Sequence, residues 1–151
     1  MVEIRGLRFA WPGAGHDVLA IDKLDVASGE ALFLFGPSGS GKSTLLGLLA
    51  GVLVPREGHV RLHGTDWGAL RTAQRDAHRA RHVGYIFQQF NLLPYLDAID
   101  NVLLPCRFSR TRRERAVAQA GSAVAAARTL LERVGLVQPL WTRPEIGRAH
   151  V

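Results

Sequence analysis

The sequence predicts an α/β fold, with an antiparallel lobe in front and helices later, and three observations carry that prediction. An alternating stretch opens the chain, a short apolar run from Ala31 to Phe35 leads straight into a glycine-rich loop, and the later half is dominated by helical patterning. With 151 residues there is room for one core. Hydrophobic content of 47% with 21% charged residues is that of a globular chain. The longest apolar run, Leu45 to Val54, falls well short of the ~20 residues that cross a bilayer.

In order along the chain, "VEIRGLRFAW" alternates as a strand does, and "VLAIDKLDVASGE" reads as a second strand that ends in a turn at Ser28-Gly29. Together they predict an antiparallel hairpin. "ALFLF", Ala31 to Phe35, has the continuous apolar character of a strand buried on both faces. "KSTLLGLLAGVL" carries leucines at helical spacing and stops before Pro55, and "GHVRLHG" is a short strand between glycines. "WGALRTAQRDAHRARH" is a polar helix or extended segment, and "VGYIF", Val83 to Phe87, is another buried strand. "AIDNVLLP" is expected to be a short helix ended by Pro105, and Thr111 to Gly135 the longest helix, capped by Gly135.

The formal charge is +6, and all basic residues except Lys23 and Lys42 are arginines. A basic excess invites a nucleic-acid or membrane-surface reading. No basic stripe interleaved with aromatics accompanies it, so an arginine-rich composition of the kind a GC-rich genome produces is the preferred account, with no nucleic-acid partner expected. Cys106 stands alone, which excludes an internal disulfide and fits a reducing compartment. The N-terminus has neither a positive start nor an apolar core with a small-residue cleavage site, so secretion is not expected. The six histidines lack metal-ligand spacing.

Chemistry concentrates in Gly36-Pro37-Ser38-Gly39-Ser40-Gly41-Lys42-Ser43-Thr44, which satisfies G-x-x-x-x-G-K-[ST] between an expected strand and an expected helix. The glycines let successive backbone N–H groups turn toward phosphate oxygens, and the helix that begins here adds its positive dipole end. Lys42 would reach the β- and γ-phosphates, and the Ser43 hydroxyl would be a ligand of Mg²⁺.

That loop followed by "LLGLLAGVLVPREGHVRLHG" and then "RHVGYIFQQFNLLPYLDAIDNVLLP" closely resembles the nucleotide-binding domains of ABC transporters, within them the ATPases of lipoprotein-release and macrolide-export type. The resemblance runs from about Val2 to Pro144 and implies a P-loop NTPase of ABC type, with the antiparallel β front lobe and the start of the helical lobe. It also implies that Gln88 contacts Mg²⁺ and the attacking water and lies where the membrane subunit docks; the plain alternative is a residue that caps a strand end. Trp11 occupies the place of the family's adenine-stacking aromatic, where tyrosine is commoner; the alternative is core packing beside Phe9. Asp100 departs mildly from the family's glutamate before Asn-Val. The run "RFSRTRRER", Arg107 to Arg115, reads as a solvated helix face, with phospholipid headgroups or a partner as the other reading.

In this family hydrolysis needs an acidic pair at the end of an apolar strand, a Leu-Ser-Gly-Gly-Gln signature and a switch histidine. None of the three stands anywhere after Gln88, and His150 lacks the context of the switch. The chain reads as the N-terminal part of an ATP-binding domain, residues 1–144, truncated before the signature. Residues 145–151 read as a non-native tail, since Ile146 to Val151 can be encoded by a string resembling a common sequencing adapter. The full-length protein would bind MgATP, pair with a second ATP-binding subunit and couple hydrolysis to transport through a separate membrane permease on the inner face of the cell membrane. The alternatives are an ABC-type ATPase acting on DNA or ribosomes, and a nucleotide-binding module that regulates without hydrolysing.

Overall fold

The computed structural model describes residues 1–87 and 91–136, and the chain divides into two compact units, Met1–Arg79 and the part that begins at Ala80. In the first unit the expected hairpin forms. Strand β1 (Val2–Phe9) pairs antiparallel with β2 (Leu19–Val26), with Ile4 opposite Leu24 and Leu7 opposite Ile21. The "GHVRLHG" segment supplies β3 (Glu57–Leu62), which pairs with the other edge of β1, and the two-residue β4 (Thr65–Asp66) completes a sheet in the order β2-β1-β3-β4.

Strict alternation would send Ile4 and Leu7 to opposite faces, yet both are fully buried. A register shift between Arg5 and Arg8, at Gly6 with φ +58°, inserts the extra residue that turns both toward the core. That core also holds Phe9, Val60 and Leu62 from the sheet and Leu45 and Leu48 from α1 (Lys42–Leu49). Trp67 is wholly buried beneath the end of α1 and donates its indole N–H to the Leu49 carbonyl at 3.2 Å. The ring's burial contributes on the order of 4–6 kcal/mol, and the hydrogen bond satisfies one of the carbonyls that a helix end leaves over. Trp67 opens a single helical turn, Trp67–Ala69, which leads to α2 (Thr72–His82), the helical form of the polar segment.

The second unit contains α3 (Ala98–Phe108), α4 (Arg110–Ala120) and α5 (Ala123–Arg133), each packed against the other two. Helix α3 does not stop at Pro105. Proline removes only its own N–H bond, and the last turn survives, closed by the Ser109 N–H on the Pro105 carbonyl at 3.1 Å. The single helix expected from Thr111 to Gly135 is two. Gly121 takes the left-handed conformation, φ +76°, that ends α4, and the Ser122 hydroxyl accepts the Ala125 N–H at 3.0 Å to start α5. Gly135, φ +80°, does close α5 as expected, its N–H on the Glu132 carbonyl at 2.9 Å.

The two expected buried strands are the main correction. Neither Ala31–Phe35 nor Val83–Phe87 is a strand, and both expose their aromatics and aliphatics, with Phe35 90% and Ile86 96% accessible. An apolar run becomes a doubly buried strand only when neighbouring strands accept its N–H and C=O groups. Among the described residues none does so for either run. No helix among the described residues is long and apolar enough to cross a membrane.

Candidate phosphate-binding site

The glycine-rich loop lies in the first unit and ends at the N-terminus of α1, as expected, whereas the strand expected before it, Ala31–Phe35, is not formed. Gly41 is the residue before the helix, with φ +87°, and no side chain caps the N-terminus. A side chain there would be strained by that φ and would also strike Leu19 at 2.8 Å. The first turn of α1 contains no acidic residue, so no carboxylate of that turn offsets its dipole.

Lys42, the first helical residue, folds back over the loop. Its ammonium donates to the carbonyls of Gly36 at 2.9 Å and Pro37 at 2.7 Å, and lies 3.3 Å from the Ser40 hydroxyl. A cation with three donors is thereby held above a ring of backbone. The hydroxyls of Ser43 and Thr44 sit in the same first turn and make no hydrogen bond to other described residues. Ser43 is exposed, and a free hydroxyl on this turn has the donor chemistry of a Mg²⁺ ligand.

Trp11 follows β1 directly and is about half exposed, at 46%. Its ring meets Phe9 edge-on at 5.1 Å and 85°, its carbonyl accepts the Ala14 N–H, and one ring face stays clear of Phe9 in that geometry. Phe9 pairs across the ladder with Leu19, and Leu19 is what Gly41 packs against. Trp11, Phe9, Leu19 and Gly41 thus form a chain of contacts between the end of β1 and the loop. The link through Leu19 has no signature in the sequence, because it depends on how β2 pairs.

Gln88 lies outside the described residues, as do the 145–151 tail and the approach through Pro144. Asp97 and Asp100 both serve the fold. The Asp97 carboxylate caps α3 by accepting the Asp100 N–H at 2.7 Å, and Asp100 pairs with Arg107 at 2.7 Å. The basic run divides by role. Arg107 and Arg110 are paired, the latter with Glu114 at 2.7 Å, which raises the Arg110 pKa, whereas Arg112 reaches backbone carbonyls. Sequence reasoning also passed over Asn101. Its amide stands within hydrogen-bond distance of the Leu93, Leu96 and Asp97 carbonyls and its oxygen accepts the Leu93 N–H, so it shapes the turn before α3.

Residues 19–146 match the ABC transporter family. The macrolide export ATP-binding/permease protein MacB of Rhodopirellula baltica is 40% identical over 141 residues, covering 90% of this chain and 19% of that protein. The lipoprotein-releasing system ATP-binding protein LolD of Novosphingobium aromaticivorans is 41% identical over 149 residues, covering 95% of this chain and 62% of its own length. Among solved structures, the ATP-binding cassette MJ0796 in a dimeric post-hydrolysis state with ADP and Pi superposes with a TM-score of 0.76 at 28% identity, over 96% of this chain and 62% of that one. The chain therefore spans between about a fifth and three fifths of the length of these relatives.

Proposed function

This chain belongs to the ABC transporter family, and from that premise we propose that it is the nucleotide-holding part of an ATP-binding subunit that drives transport through a membrane permease. The observation that carries this reading is the Lys42 ammonium poised over the Gly36–Gly41 backbone at the uncapped start of α1. When the nucleotide arrives, Lys42 exchanges the carbonyls of Gly36 and Pro37 for β- and γ-phosphate oxygens, and the loop N–H groups close around them. The exchange leaves the loop shape intact, because Gly41 and its packing on Leu19 hold it. Trp11 offers its free face to the adenine. Mg²⁺ would neutralise charge developing on the phosphates, with Ser43 as its ligand from this turn. Gln88 is assigned to water and Mg²⁺ by the family resemblance alone.

Within these residues the site binds and does not turn over. No strand-end acidic pair follows Gln88 in the sequence, and Asp97 and Asp100 are occupied in capping α3 and pairing Arg107. The whole subunit hydrolyses ATP as a dimer with a second ATP-binding subunit, at the inner face of the membrane beside its permease. Support for pairing is the dimeric MJ0796 cassette, and support for a membrane partner is the similarity to MacB, an ATP-binding/permease protein. Titrating the 151-residue chain with a fluorescent ATP analogue in the presence of Mg²⁺ tests the reading. Saturable binding displaced by ATP and ADP is expected, and no binding at millimolar nucleotide would overturn it.

A further inference from the structure

Away from the loop, the second unit has an open cleft of about 610 Å³ lined by α4, α5 and the last two residues of α2, Arg81 and His82. Arg81, Arg112, Arg115 and Arg133 line it, together with the apolar Ala116 and Leu130. No acidic side chain lines it among the described residues.

Arg112 is committed to the backbone: its guanidinium donates to the Ala80 carbonyl at 2.6 Å and the Val83 carbonyl at 2.8 Å. That satisfies two backbone carbonyls and ties α4 to residues 80–83. Arg81, Arg115 and Arg133 have no such partner among the described residues. Glu114, next to Arg115, is held by Arg110, Glu132, next to Arg133, does not line the cleft, and none of the three arginines makes an ion pair among the described residues. Three unpaired guanidiniums converge from three separate helices on one concavity of ligand size. Arginine presents a rigid fork that matches two oxygens of a phosphate, so the arrangement suits an anion with several phosphate oxygens better than a single carboxylate.

We propose that this cleft binds phosphorylated anions through Arg81, Arg115 and Arg133, as a site separate from the Gly36–Thr44 loop. The shared ligand chemistry is a phosphate group with two or more charges or a phosphodiester beside an apolar portion, for which the lining offers Ala116 and Leu130.

The test uses the 151-residue chain carrying Lys42→Ala, so that phosphate binding at the loop is suppressed. Sodium pyrophosphate is titrated by calorimetry at low salt, and vesicles of phosphatidylglycerol are compared with phosphatidylcholine by cosedimentation. Arg115→Gln and Arg133→Gln are each expected to weaken binding roughly tenfold, the scale of one charge-assisted hydrogen bond lost, while Arg113→Gln, on α4 but outside the cleft, leaves it within twofold. Pyrophosphate binding with that pattern assigns the site to free phosphates. Phosphatidylglycerol binding alone with that pattern assigns it to lipid headgroups. Arg81→Gln, on a different helix, and Arg115→Lys, which keeps the charge but loses the fork, guard against a fold defect; circular dichroism is expected to match the parent for both, with an intermediate loss for the lysine. Binding of neither probe overturns the proposal. So does an equal effect of Arg113→Gln, or tighter binding of short single-stranded DNA that is indifferent to which arginine is removed, since either marks a general polyanion surface.

Discussion

The ammonium of Lys42 lies 2.7 Å from the carbonyl oxygen of Pro37, five residues back along the loop that ends at this lysine. A strong donor is thus held where phosphate oxygens would stand, bonded to acceptors that a charged ligand outcompetes. Lys42→Ala is expected to weaken MgATP binding roughly ten- to a hundredfold, the scale of a hydrogen bond to a charged group. Lys23, 3.6 Å from Asp25 on β2, is the matched control, and Lys23→Ala leaves the affinity within about twofold. Equal losses in a fluorescent-nucleotide titration would remove the loop from the site.

Trp11 contributes a ring face, and stacking tolerates a change of ring better than its loss. Trp11→Tyr is expected to keep ATP affinity, and Trp11→Ala to lose roughly 1–3 kcal/mol of binding. Because Trp11 also packs edge-on against Phe9, thermal melts of both variants separate stacking from lost packing. Unchanged affinity in both would return Trp11 to a packing role.

The 151-residue chain is expected to release phosphate from ATP no faster than its Lys42→Ala variant at any protein concentration. A glutamine amide cannot take the proton of an attacking water as a carboxylate can, and both acids that follow Gln88 closely, Asp97 and Asp100, are engaged in α3. Phosphate release above that control, abolished by Asp97→Asn or Asp100→Asn, would identify an overlooked carboxylate.

Gly121→Ala tests the corner between α4 and α5. A Cβ there would meet nothing within 4 Å, so the cost is that of φ +76° alone, about 1–2 kcal/mol. Urea unfolding should show that loss. A neutral result would mean that the two helices can merge into the single helix that the alanine-rich composition favours.

The Arg5 guanidinium, 2.6 Å from Asp25 across the β1–β2 ladder, holds the Asp25 carboxyl below its ordinary pKa. A carboxylate depressed in the folded state adds stability that is fully present above the unfolded pKa, near 4, and lost as pH falls through the lower folded value. Both groups are solvated, so the effect is small. Asp25→Asn is expected to lower Tm slightly at pH 7, and the difference is expected to shrink as pH falls through the folded Asp25 pKa. A difference that grows toward low pH would contradict the pairing.

Where the determinants are local, the sequence is read directly. The β1–β2 hairpin follows from alternation and a turn, α1 from leucine spacing after the glycines, and the candidate site from the spacing of Gly36, Gly41, Lys42 and Ser43 together with the helix that follows. The break at Gly121-Ser122 was legible too, as a left-handed cap followed by a serine N-cap, but the alanines around it carry enough helix propensity to hide it. Other features belong to the tertiary structure alone. Ala31–Phe35 and Val83–Phe87 have the composition of buried strands, yet a strand is a relation between segments, and without a ladder partner among the described residues their backbone stays irregular and Phe35 and Ile86 face solvent. The same holds for the cleft. Arg81, Arg115 and Arg133 are spread over more than fifty residues with no common spacing, and only the packing of α2's last turn, α4 and α5 brings their charges together. Spacing decides what neighbours in sequence can do; which distant groups share a surface is decided by packing, whose energy comes from burial and carries no periodicity of its own.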